Sequence, residues 1–242
     1  MKISRNVKLA EFTSLKVGGK TPKLIELESK DSLAEIIDKT DGKLWVLGSG
    51  TNSLISDHGL DGTVIINDHG SITVNNNYIT ADSGANWDNV IKHAIKDNLY
   101  GLEFMSGIPG TVGGAVVGNI AAYGQQVADT LDHITVFNAK TRDINTIKNK
   151  ELGFTYRNSN LQNHNNLIVL TATFKLSKTP TMHLEYNSAL KVAVKLGLVP
   201  HSLNNRRKII LQTRKQAGSL LNNKADNHAT AGSFFKNPVV NK

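Results

Sequence analysis

Apolar positions recur along this chain with two different periods, and the switches between them mark out most of its elements. Lys23–Leu27 reads as a strand, the short apolar run Leu44–Leu47 as a buried strand, and Thr63–Ile66 as another. Between the first two, Ser29–Asp38 reads as a short helix, with Leu33, Ile36 and Ile37 on one face and Ser29 or Asp31 near its cap. The N-terminal region is therefore a small α/β unit. Ser71–Val74 and Tyr78–Ala81 alternate about Asn75-Asn76-Asn77, which predicts a hairpin. The clearest helix follows. Trp87, Val90, Ile91, Ala94, Ile95 and Leu99 fall on one helical face, with Asn86 as the candidate cap.

Further on, His133–Asn138 and Asp143–Ile147 flank a polar turn, and Leu167–Leu176 is a long β-prone run. Thr179-Pro180 marks a break, after which helical spacing runs through residues 187–197 and 202–216. Ala217–Thr230 is polar and reads as a linker or loop. There is no internal repeat and no low-complexity tract.

Two glycine-rich segments interrupt the periodic pattern. The first, Gly48-Ser-Gly-Thr-Asn-Ser53, leaves the end of the Leu44–Leu47 strand and supplies flexible amides with hydroxyl donors, as phosphate sites commonly do. No third glycine opens an amphipathic helix, so it is not a Rossmann fingerprint. No Gly-Lys-Ser/Thr follows, so it is not a P-loop. The second segment, Gly107–Gly124, carries no charged side chain. Such a stretch either lets backbone amides approach an anion such as a diphosphate, or packs a tight helix–strand junction. Together the segments favour a dinucleotide held by two separate backbone cradles.

Composition narrows the classes. At 242 residues, 39% hydrophobic and 20% charged, the chain can bury a sizeable core in one large or two smaller domains. It contains no apolar run of about eighteen residues, and Met1–Ala10 lacks the apolar core of a secretory signal. With no cysteine, disulfides and thiolate chemistry are excluded, and a cytoplasmic location is expected. The net charge of +8 is scattered, densest at Arg206-Arg207-Lys208, without interleaved aromatics to stack bases. A small, highly anionic ligand suits it better than nucleic acid. The eight histidines form no ligand-spaced pair, so no metal site is expected, and no Gly-x-Ser-x-Gly elbow occurs.

Five ordered motifs then coincide with a known family. They are Phe12–Gly19; Leu47–Leu54; Gly101–Phe104 with Ile108–Gly114 and Asn119–Gly124; Phe154–Ser159; and Gly232–Pro238. On these the chain resembles the UDP-N-acetylenolpyruvoylglucosamine reductases, flavoenzymes of peptidoglycan precursor synthesis. Leu184-Glu-Tyr186 and the Phe234-Phe235 pair resemble their type I subgroup. The resemblance implies an α+β, two-domain flavin-binding fold of the vanillyl-alcohol-oxidase/PCMH type, with a truncated third, substrate-binding domain. It implies a division into residues 1–67, 68–215 and 216–242. It also implies non-covalent FAD, NADPH as hydride donor, and the enolpyruvyl ether of UDP-N-acetylglucosamine as substrate, with UDP-N-acetylmuramate as product. A monomer, with neither membrane nor nucleic-acid partner, is expected.

Residue by residue, the resemblance places FAD on Gly48, Ser49, Gly50, Thr51, Asn52 and Ser53. The second segment adds Pro109, Gly110, Thr111, Gly113, Gly114, Asn119 and Gly124. Arg157 becomes the candidate that stabilises charge on the substrate carboxylate, and Ser233 the candidate proton donor. Tyr123, Tyr186 and Asn237 are candidates for substrate contacts. Lys215 is the nearest match to a family lysine, although the stretch from Arg214 to Ser233 is longer than the family spacing.

The family's C-terminal glutamate has no counterpart, because the last glutamate of this chain is Glu185. A truncated reductase of little activity, with Phe234 and Phe235 lacking their usual cover, is the expectation. The alternatives are a non-catalytic flavin-binding fragment and half of a split enzyme. A basic nucleic-acid-binding protein rests on charge alone.

Overall fold

The computed structural model describes residues 2–27, 33–38, 40, 42–221 and 229–238. The first sheet has four strands, β1 (Lys2–Lys8), β2 (Lys20–Glu26), β3 (Leu44–Leu47) and β4 (Thr63–Ile66), in the order β1-β2-β4-β3. β4 pairs in parallel with β2 and β3, and β1 closes the other side antiparallel to β2. All four β4 residues are buried, as a central strand with two parallel neighbours requires.

Two readings change here. Leu44–Leu47 is a strand but an edge strand, with Trp45 40% and Val46 47% exposed and the Trp45 indole donating to the Asp61 carbonyl at 2.8 Å. An apolar run alone does not separate an edge from a centre. The β1 strand, by contrast, carried no periodic signal. Its lysine- and arginine-rich faces stay largely exposed, so its pairing rests on the backbone ladder.

The second sheet is wholly antiparallel. It comprises β5 (Ile72–Asn75), β6 (Tyr78–Asp82), β9 (Leu131–Asn138), β10 (Ile144–Lys148) and β11 (Leu167–Lys175), in the order β10-β9-β11-β6-β5. β7 (Ala121–Ala122) and β8 (Gln125–Gln126) form a separate small hairpin. The main core lies on one face of this sheet. Trp87, Val90, Ile91 and Ala94 of α2 (Trp87–Lys96) pack there with Ile134, Val136, Ala172 and Phe174. The Trp87 and Phe174 rings meet edge-on at 5.7 Å. Asn86 caps α2 as the spacing predicts, its side chain accepting from the Asn89 amide.

A second cluster joins the sheets. Ile25, Leu27 and Ile65, with Leu33 and Ile36 of α1 (Leu33–Asp38), meet Phe137, Ile168 and Leu170. The predicted caps Ser29 and Asp31 lie outside the described residues.

The glycine-rich segment contains a short helix, α3 (Val112–Val117), whose Val112, Ala115 and Val116 are buried. The two helices expected late in the chain are α4 (Asn187–Leu196) and α5 (Leu203–Gln216). They pack on each other and on Phe104, which sits just ahead of the glycine segment. That placement carries the side chains of α5 towards the second glycine loop. Residues 222–228 of the expected linker, and Val239–Lys242, lie outside the described residues.

Candidate functional site

The two glycine loops meet. Thr51 donates its hydroxyl to the Pro109 carbonyl at 3.3 Å. A Cβ on Gly48 would stand 2.3 Å from the Thr111 hydroxyl, and one on Gly110 would stand 3.0 Å from that of Thr51. The structure therefore replaces two separate cradles with one joined surface. In the first loop Gly50 has φ +59°, and a Cβ there would sit 2.0 Å from the Phe12 carbonyl oxygen. Only glycine fits that backbone approach.

The second loop is laced to its surroundings by main-chain bonds. The Trp87, Val112 and Gly113 amides donate to the Gly110, Ala85 and Ser83 carbonyls, at 3.0, 2.9 and 2.7 Å. Both readings of this segment hold in part. Gly113 is a packing glycine, since a Cβ would meet Ser83 Cβ at 3.0 Å. Gly114 is open, its added Cβ finding only the Thr111 hydroxyl at 3.7 Å.

Two carboxylates pin the approach to this loop. Glu103 accepts from the Gly101 amide at 2.7 Å and from Arg206 at 2.7 Å, and both side chains are almost wholly buried. Arg206 also lies against the Tyr100 and Phe104 rings, 5.4 and 5.2 Å from their centres. Asp88 accepts from the Gly107 amide at 2.7 Å and takes a two-pronged pair from Arg207 at 2.6 and 2.7 Å. Burial pushes the Asp88 pKa up, but Arg207, the Gly107 amide and Lys92 together hold it below the ordinary carboxylate value. Two members of the densest basic cluster are thus consumed by internal ion pairs.

At the far end of the loop, β7 and β8 are joined by Tyr123 and Gly124, both with positive φ (+49° and +89°). Two such residues in a two-residue turn match the right-handed twist of a hairpin. The turn presents the Tyr123 ring edge-on to Tyr186, which immediately precedes α4, at 5.6 Å. Burial raises the Tyr123 pKa, and the charge of Arg214 opposes that rise.

Arg157 stands in a tight turn. Thr155 and Asn158 exchange backbone hydrogen bonds at 3.1 and 3.2 Å, leaving Tyr156 and Arg157 at the tip, Arg157 with φ +54°. Three side-chain bonds fasten this turn to the end of the second loop. Asn119 donates to Thr155 O at 3.0 Å, Ser159 to Val117 O at 2.8 Å, and Gln162 to Val117 O at 3.0 Å. Asn119, predicted to touch the cofactor, is buried, and its amide is spent on Gln126, Thr155 and the Ala128 amide. Its side chain braces the Arg157 turn.

Ser233 belongs to a segment attached to the first loop. Asn52 donates to Ala231 O at 2.8 Å, Ser14 donates its hydroxyl to Thr230 O, and the Thr230 amide returns a bond to Ser14 O at 3.2 Å. Ser233 itself is exposed, as are Asn237 and, at 38% and 85%, Phe234 and Phe235. Arg157 is therefore tied to one loop and Ser233 to the other.

Lys215 is exposed on α5. Its neighbour Arg214 turns inward, as Arg206 does earlier on α5, and burial lowers its pKa against the opposing influence of Tyr123 and Asp88. Arg214 donates to Ser219 O at 2.8 Å, while its Nε is buried with no hydrogen-bond partner. The signal for it was in the spacing. Arg214 stands four residues after Ile210 and seven after Arg207, on the inward stripe, whereas Lys215 is rotated off it.

Known proteins are similar to this chain in sequence and in fold. Residues 22–144 match the family described as FAD binding domain. A UDP-N-acetylenolpyruvoylglucosamine reductase of Mycobacterium sp. (strain MCS) is 33% identical over 243 residues, covering 98% of this chain and 69% of that protein. That of Thermobifida fusca (strain YX) is 31% identical over 249 residues, with 98% and 69% covered. The crystal structure of UDP-N-acetylenolpyruvylglucosamine reductase from Thermus caldophilus superposes with a TM-score of 0.71 at 27% identity, covering 98% of this chain and 76% of that one.

Proposed function

The chain belongs to the UDP-N-acetylenolpyruvoylglucosamine reductase family, with the family's flavin-binding α+β fold, and on that premise we propose that it reduces the enolpyruvyl ether of UDP-N-acetylglucosamine to UDP-N-acetylmuramate with NADPH. The residues fit FAD. A diphosphate needs amides that no side chain shields, and the joined loops leave such room at the open side of Gly114, with the Thr111 hydroxyl beside it as a further donor. When bound, FAD supplies the ring that accepts a hydride from NADPH and passes it to the alkene.

The chain's own residues do the rest. As the alkene is reduced, negative charge collects on the adjoining carboxylate. The guanidinium of Arg157, carried on its braced turn, would stabilise that charge with a planar pair of donors. Ser233 would give its hydroxyl proton to the other alkene carbon, for which it needs a polarising neighbour. Tyr123, Tyr186 and Asn237 would hold the nucleotide sugar. Arg214, rather than the exposed Lys215, is the cation of α5 placed beside Tyr123. We assign residues 1–67 and 68–215 to the two FAD-binding subdomains and residues from 216 onward to substrate covering.

One observation carries this reading. The two glycine loops join, with the Arg157 turn fastened to one and the Ser233 segment to the other. The test separates two half-reactions in anaerobic solution. NADPH should bleach the flavin of the purified protein, and the enolpyruvyl substrate should restore its colour. Bleaching without substrate-dependent recovery would leave a flavin carrier and remove the reductase assignment.

A further inference from the structure

Ser14 lies in a stretch to which no role in the chemistry has been given, yet it touches both halves of the first loop's surroundings. Its amide donates to Gly50 O at 3.1 Å, and its hydroxyl stands 3.2 Å from Thr51 O. The same hydroxyl donates to Thr230 O, and its carbonyl accepts from the Thr230 amide at 3.2 Å. Among the described residues, the hydrogen bonds tying 229–238 to the remainder of the chain run through Ser14 and Asn52. The segment then turns at once. Gly232 has φ +63° and donates its amide to the Thr230 hydroxyl at 3.0 Å, with Ser233 next in line.

From this geometry we infer that Ser14 is a positioning residue coupling the first glycine loop to the Ser233 segment, so that a dinucleotide seated in the loop also fixes where Ser233 stands. The inference rests on the flavin reading above. The physical reason is economy of freedom. A hydroxyl with one proton and two carbonyls in reach can settle on Thr230 once the loop around Gly50 and Thr51 is held still. Ordering the loop therefore orders the segment. Asn52 provides a second tie but sits in the cradle itself, so Ser14 is the residue through which the coupling can be altered without touching the cofactor surface.

The test uses the whole chain, its Ser14→Ala and Ser14→Thr variants, and Thr230→Val, which removes the acceptor of the Gly232 amide. Backbone hydrogen exchange at Thr230 and Gly232 is followed with and without saturating FAD. In the wild type FAD should slow exchange by about tenfold, the scale of one hydrogen bond. Ser14→Ala should lose that protection while binding FAD within about threefold of the wild type, because its amide still serves Gly50. Ser14→Thr should recover it, and Thr230→Val should free Gly232 alone.

In turnover, Ser14→Ala should leave bleaching by NADPH unchanged and slow substrate-dependent recovery, by up to about a hundredfold for a misplacement near 1 Å. Equal FAD protection in Ser14→Ala, failure of threonine to rescue, or equal slowing of both half-reactions would overturn the inference. If the wild-type chain binds no FAD, added FAD changes exchange in no variant, and the flavin reading is what fails. The tie is then judged in the free chain, where Ser14→Ala must still speed exchange at Thr230, and unchanged exchange overturns it.

Discussion

The two glycine loops share a composition but differ in what holds them. The first is fixed by neutral partners from distant parts of the sequence: Phe12 and Ser14 before it, Ala231 after it, and Thr111 across from it. Of its two glycines, Gly50 answers to backbone pressed against backbone and Gly48 to the Thr111 side chain. The second is held by its own neighbourhood, by α3, and by two carboxylate–arginine pairs from α2, the Glu103 turn and α5. Its adjacent helical glycines, Gly113 and Gly114, split into one that packs and one that stays open. Glycine richness in a sequence therefore conflates three physical demands, which are positive φ, close packing and unshielded amides. Only the last speaks for a ligand.

The strongest way to break this comparison is to remove the pin of the second loop. Glu103→Ala would leave Arg206 buried without its partner, and breaking a buried pair in this way costs about 3–5 kcal/mol. Thermal unfolding of Glu103→Ala should show a loss of that size. A loss below about 1 kcal/mol would mean that the pair does not fasten α5 to the loop. The next largest effect belongs to the first loop. Gly50→Ala combines a left-handed backbone with a Cβ driven against the Phe12 carbonyl, for a loss of about 3 kcal/mol together with FAD binding.

Gly114→Ala sharpens the contrast, because stability and binding should move apart. The new methyl meets only the Thr111 hydroxyl at 3.7 Å, and within α3 alanine is worth up to about 1 kcal/mol over glycine. The melting temperature should hold or rise while FAD affinity falls by about tenfold or more, if the open side faces the dinucleotide. Unchanged flavin affinity would show that this side does not face it.

Much of the fold was legible because the relevant physics is local. Trp87, Val90, Ile91 and Ala94 fix α2 by spacing alone, and Asn86 marks its start. The Asn75–Asn77 turn is equally plain, with Asn76 at φ +54°. What escaped was long-range or polar. β1 is a polar edge that no periodicity reveals, and the exposure of Trp45 depends on which strand lies outermost. The fusion of the two loops hangs on Thr51 and Thr111, sixty positions apart, which no local pattern connects. Glu103 and Arg206 could not be paired from their spacing either, since a charge run reads by default as a solvated face. In the candidate site, motif resemblance pointed to the segments that the fold brings together and helical spacing could have favoured Arg214 over Lys215, whereas Asn119 as a brace depends on partners that no local pattern connects.

The smallest predicted effect concerns pH, and it sets the loops against each other directly. Asp88 has its folded pKa below the ordinary value near 4, so the pair with Arg207 contributes stability above about pH 4 and loses it as pH falls through the lower folded pKa. Protonation there removes the charge that grips Arg207 and weakens the hold on the Gly107 amide. The first loop depends on Ser14 and Asn52, neither of which titrates. On acidification below pH 4, exchange at the Gly107 amide should therefore quicken before exchange at Ser14 and Thr230. Asp88→Asn should cost about 1 kcal/mol at pH 7, a modest figure because the pair retains some solvent contact, and the gap from the wild type should close below pH 4. If both loops loosened together on acidification, or the Asp88→Asn deficit persisted undiminished, the carboxylate could not be what distinguishes the second loop from the first.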